Sequence, residues 1–144
     1  MRAIPHPRNS VETLLRTALA AILGLGLAAN GLWMLASPRS WYLAVPGVPQ
    51  TGPANAHFIR DIGCAYLVVA LSLLWLARLP KQAWPAALAG GGFLTLHALV
   101  HTWDFFTGRE PGSRLVVDLP AVFIPAILVV WLAWPRRREP EMEK

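Results

Sequence analysis

The sequence predicts an all-α integral membrane protein, a four-helix bundle with both termini on the cytoplasmic side. Three observations carry this. Four apolar stretches are separated by short polar connections, and a helix of about 20 apolar residues crosses a hydrocarbon core about 30 Å thick. The chain is 55% hydrophobic and only 15% charged, whereas soluble domains carry about a quarter charged residues. The cations are also unevenly placed. Arg2, Arg8, Arg16, Arg78, Lys81, Arg136, Arg137, Arg138 and Lys144 fall on the side of the termini, and Arg39, Arg60, Arg109 and Arg114 on the other. The positive-inside rule then puts both termini in the cytoplasm.

The same asymmetry accounts for an isoelectric point near 10.4 without a nucleic-acid partner, because the basic residues lie in tails and turns where they orient membrane helices. Cys64 is the single cysteine, which excludes an internal disulfide and any multi-cysteine metal motif.

Residues 1–13 form a polar cytoplasmic segment interrupted by Pro5 and Pro7. Asn9 followed by Glu12 has capping-box spacing, so a helix is expected to start near Ser10. The four-span domain covers residues 14–134, with spans at about 14–36, 57–79, 83–106 and 115–134. In the first span Ala20, Gly24 and Ala28 recur every fourth residue, a small-residue face that admits a close neighbour inside the chain or in another copy. Basic residues ahead of this span and small residues at 26–29 also suit a signal peptide. Its apolar run is long for one and continues past that point, so a retained span is expected.

Residues 37–56 read as an irregular loop, because Pro46, Gly47, Pro49, Gly52 and Pro53 forbid a regular helix through its second half. Asn55 is a plausible cap for the second span. Pro80 and Lys81 are expected to end that span. Gly90, Gly91 and Gly92 in the third predict a bend or very close packing. Residues 107–114 form a polar turn. In the fourth span Pro120 is tolerated near the start, and Pro125 should kink the helix. The tail, residues 135–144, is charged and cytoplasmic, with disorder expected. Trp33, Trp41 and Trp103 near one boundary, and Trp75, Trp84, Trp131 and Trp134 near the other, form interfacial belts.

Two polar stripes interrupt the spans. His97, His101 and Asp104 are spaced i, i+4, i+7, and so are His57, Asp61 and Cys64; each makes one stripe on a helix. At about 1.5 Å of rise per residue the stripes reach similar depths in the outer third of the bundle, together with Asp118 and Asn30. They are expected to face each other. Ionisable groups at such depth pair, meet water or serve function. Asp61, Asp104 and Asp118 outnumber Arg60, so protons, Arg109, Arg114 or a divalent cation should compensate.

Four readings remain open. His97 and His101 have the spacing of a helix-borne metal pair, with Asp61, Asp104 or His57 completing the ligands of zinc, copper or iron. Alternatively the groups form a buried network, with Asp61 accepting from His101, Arg60 pairing with Asp104 or Asp118, and Asn30 bridging. Haem b between His57 and His97 or His101 is disfavoured by the surrounding carboxylates. A quinone or lipid headgroup could exchange protons with the Asp–His pairs. Cys64 reads as a packing residue.

NGLWMLASP closing the first span and HFIRDIGCAYL opening the second, with four spans and a Pro-rich first outer loop, resemble the small DoxX-like bacterial inner-membrane proteins. The resemblance implies the fold and an inner-membrane location, and carries no catalytic residue across. The functional expectation is a non-catalytic or accessory subunit in the lipid bilayer, in a larger complex or a homo-oligomer, whose His/Asp cluster organises the bundle or binds a divalent metal. A membrane enzyme using that cluster is the alternative.

Overall fold

The computed structural model describes residues 7–135, with side chains from Val11 onward. Helix α1 spans Pro7–Ala36, α2 Pro38–Ala44, α3 Ala56–Arg78, α4 Pro80–Phe106, α5 Ser113–Asp118 and α6 Ile124–Ala133. A 3-10 turn at Val48–Thr51 lies between α2 and α3, and a π-helical turn at Leu119–Phe123 joins α5 to α6. Four stretches are long and apolar enough to cross a membrane: Val11–Ala36, Ala56–Arg78, Pro80–Phe106 and Ser113–Ala133. The chain therefore reads as a membrane protein. One end of the bundle carries the 37–55 connection and the 107–112 turn, and is called the loop end. The other carries the α3–α4 corner and is called the terminal end.

Several boundaries differ from the sequence expectation. α1 is already helical at Pro7, where a missing N–H is harmless because first-turn donors have no helical partner. The predicted cap at Asn9 falls on a side chain outside the described residues, as does most of the charged tail. Pro80 opens α4 instead of ending α3. Only Leu79 separates the two helices, and its N–H donates to Trp75 O at 2.7 Å. Proline at the first helical position presets φ and removes no bond.

The 37–56 connection is more ordered than an irregular loop. Pro38 starts α2, and Trp41 donates its indole N–H to Asn30 Oδ1 at 2.9 Å. The Tyr42 hydroxyl donates to Gly52 O at 2.7 Å. Two residues with the composition of an interfacial belt thus anchor the loop. Asn55 caps α3, accepting from the N–H groups of His57 and Phe58 at 3.1 Å each.

Packing follows the small residues. α1 lies along α3, α3 meets α4, and α4 meets α6. Ala20 on the predicted small face is buried, but the tightest approach is at Gly31 and Gly63, where a Cβ on Gly31 would stand 2.8 Å from Gly63 O. The triple glycine does not interrupt α4, which runs as one helix from Pro80 to Phe106. A Cβ on Gly90 would lie 3.1 Å from Ser72 Oγ on α3, and one on Gly91 3.1 Å from Val130 on α6. Close packing on both sides is the use made of the run. The core behind these contacts is centred on Met34, Val69, Leu73 and Val129. Between membrane helices such packing is a dispersion and shape term, since lipid is as apolar as leucine.

The predicted break in the fourth span takes a definite form. Pro120 and Pro125 each remove a backbone donor, and the ladder shifts register there. The Ile124 N–H reaches Leu119 O, five residues back, the signature of a π-turn.

Candidate functional site

The site lies at the loop end, between α3, α4 and α5. α4 presents His97 and His101 one turn apart. Their rings meet edge to face with centroids 4.8 Å apart. His97 stacks on Phe93 and meets the edge of Tyr66 from α3, each at 6.2 Å. His101 Nδ1 lies 2.7 Å from Asp118 Oδ2, across the turn from the end of α5. Asp118 is buried, and the α5–π junction holds it against α4. A carboxylate at that distance is placed to accept from an Nδ1–H and to orient the ring.

The neighbouring charges are paired in turn. Arg109 donates to Asp104 Oδ1 at 3.1 Å. Arg114 donates from Nη1 to Pro46 O at 3.1 Å, while its Nε faces Glu110 Oε2 at 3.6 Å, beyond hydrogen-bond reach. That Nε is buried without a hydrogen-bond partner. Gly47 accommodates the arrangement: its φ of +81° suits glycine, and a Cβ there would coincide with the Arg114 guanidinium. Arg114 therefore ties the 37–55 connection to the α4–α5 turn.

These groups line a cavity of about 430 Å³, within the usual range for small-molecule sites. His97, His101, Asp104, Glu110, Arg114 and Asp118 line it together with the apolar Phe58, Ile62, Val100, Phe105 and Leu115.

The two stripes predicted from the sequence do not face each other. His57 and Asp61 pair with one another at 3.4 Å, with side chains 89% and 57% exposed. Cys64 is exposed as well, which also departs from its expected packing role. None of the three lines the cavity. The face of α3 turned to α4 carries Phe58, Ile62 and Tyr66 instead. Phe58 and Ile62 each follow a residue of the predicted stripe by one position, which is a rotation of about 100° on a helix. The expected network is redistributed accordingly. His101 pairs with Asp118 rather than Asp61, and Asp104 with Arg109 rather than Arg60. Arg60 Nε donates to Leu35 O at 3.2 Å, capping α1. Asn30 serves Trp41 rather than the cluster.

For a metal, the ligand set His57, Asp61, His97, His101 and Asp104 is thus dispersed. Among the described residues no three His, Cys, Asp or Glu side chains are grouped to hold one ion. The contacts that do form are pairwise, His97 with His101 and His101 with Asp118. No protein-family model, curated protein or solved structure matches the chain. Glu110, Phe58 and Ile62 were not legible as site residues. Glu110 sat in an apparent solvent turn, and the other two were ordinary apolar positions in a span.

Proposed function

We propose that this is a non-catalytic, multi-pass protein of a bacterial inner membrane, with both termini cytoplasmic, acting as an accessory subunit of a larger membrane complex. Its outer-end cluster organises the bundle. The observation that carries this reading is the closed pairing of the cluster: His101 with Asp118, Asp104 with Arg109, Glu110 facing Arg114. Groups already committed to one another across three segments hold α4, α5 and the first connection in register. Polar contacts between membrane helices commonly serve that purpose. The cation asymmetry of the sequence supports the orientation.

The test is purification at native expression level, with and without His97→Ala. An accessory subunit co-purifies with a stoichiometric partner and tolerates this change once assembled. A self-sufficient protein whose partner never appears overturns the reading.

A second reading is favoured by one observation, the cavity beside the His101–Asp118 pair. In it the protein is an enzyme and the pair moves a proton to or from a lipid or quinone headgroup, His101 being the general base and Asp118 its orienting partner. Activity in the isolated chain, lost in His101→Ala, would decide for it.

A further inference from the structure

The terminal end carries a different pair of cavities, built around Arg16. One, of about 460 Å³, lies between α1, the α3–α4 corner and the end of α6, and is lined by Thr13, Arg16, Thr17, Lys81 and Trp84 among others. The second, about 700 Å³, runs along the α4–α6 face past Thr95, Leu99, Ile127 and Val130 to Trp131. Arg16, Trp134 and Pro135 line both.

The chemistry of the two linings differs. Among the described residues the first is lined by two cations and two hydroxyl-bearing side chains, with no carboxylate. The second is apolar apart from two threonines and Arg16 at its end. Arg16 is held in place between them. Its Nη2 donates to Trp131 O and Leu132 O at 2.9 and 2.8 Å, and its guanidinium stacks 4.5 Å above the Trp131 ring. The sequence then continues from Pro135 into Arg136, Arg137 and Arg138. The loop-end cavity, lined by three carboxylates, has the opposite character.

We propose that this end of the bundle binds one anionic phospholipid, with its phosphate in the cavity of Arg16 and Lys81 and an acyl chain in the α4–α6 groove. Charge complementarity selects the occupant. A cationic, hydroxyl-lined pocket opening beside an apolar groove matches an anionic head joined to a hydrocarbon chain. Basic pockets between membrane helices, followed by an arginine run, are the usual footprint of anionic lipid. Thr17 supplies a hydroxyl donor for a phosphate oxygen, and the tryptophans suit the headgroup boundary.

The test uses the full chain purified in detergent, with phosphatidylglycerol or phosphatidylcholine added, read by native mass spectrometry and by thermal unfolding. One phosphatidylglycerol should be retained per chain and raise the melting temperature, and phosphatidylcholine should do neither. Lys81→Gln should weaken phosphatidylglycerol retention about fivefold, as expected for one basic residue near an anionic surface. Lys81 has an exposed side chain, so the fold should survive. Thr95→Trp, which fills the groove from an exposed position, should lower retention without changing headgroup preference. Equal retention of the two lipids, or full retention in both variants, overturns the proposal.

Discussion

His101 and Asp118 show what a single part-buried pair does here. They are 17 positions apart in sequence, and their 2.7 Å contact is a direct side-chain tie between α4 and the fourth span. Asp118→Asn or His101→Ala should each destabilise the bundle. A double-mutant cycle should give a coupling of about 0.6 kcal/mol and at most about 1.7 kcal/mol, the average and upper limit for hydrogen bonds between membrane helices. Denaturation in mixed micelles would check it, and additive single effects would count against the tie. Gly47 makes a sharper case. Its positive φ and the guanidinium stacked where a Cβ would go mean that Gly47→Ala must both strain the backbone and expel Arg114. A loss of about 1–3 kcal/mol is expected. The loss should be smaller in an Arg114→Ala background, where the steric part is gone, as thermal unfolding of the four variants would show.

At the scale of elements, glycines at helix crossings separate two classes of substitution. Gly31→Ala puts a methyl 2.8 Å from the Gly63 carbonyl oxygen. A backbone atom cannot step aside alone, so α1 and α3 must part, at about 1–3 kcal/mol. Gly26→Ala and Gly92→Ala meet nothing within 4 Å and should be neutral, or stabilising by up to about 1 kcal/mol through helix propensity. Unfolding of the three variants side by side checks the assignment. If Gly26→Ala and Gly31→Ala behave alike, the crossing is misplaced. The sequence did signal a close approach along α1 through Ala20, Gly24 and Ala28. It did not single out Gly31, because its partner, Gly63, lies on another helix. The π-turn was half legible in the same way. Two prolines announced a broken ladder, but where the freed groups would go depended on the local backbone.

For the whole molecule, the prediction concerns sidedness. In a Cys64→Ser background, Thr107→Cys at the loop end should react with a membrane-impermeant maleimide in intact cells. Gln82→Cys at the terminal end should react only after permeabilisation. The reverse pattern would invert the orientation read from the cations. Composition, segment lengths and proline positions determined the membrane class, the number of spans and the places where the chain turns, because bilayer thickness and backbone hydrogen bonding act on each segment separately. The pairing of polar groups across helices was a different matter. Spacing showed that His57, Asp61 and Cys64 share a face, as do His97, His101 and Asp104, but periodicity does not say where a face points. Near the ends of a span a polar face can also look outward to the headgroups and water. The rotation of α3 by about 100°, the equivalent of one residue, was decided by the Gly31–Gly63 crossing and by Tyr66 packing on Phe93 and His97. Tertiary contacts alone therefore chose Asp118 as the partner of His101 and left His57 and Asp61 to each other.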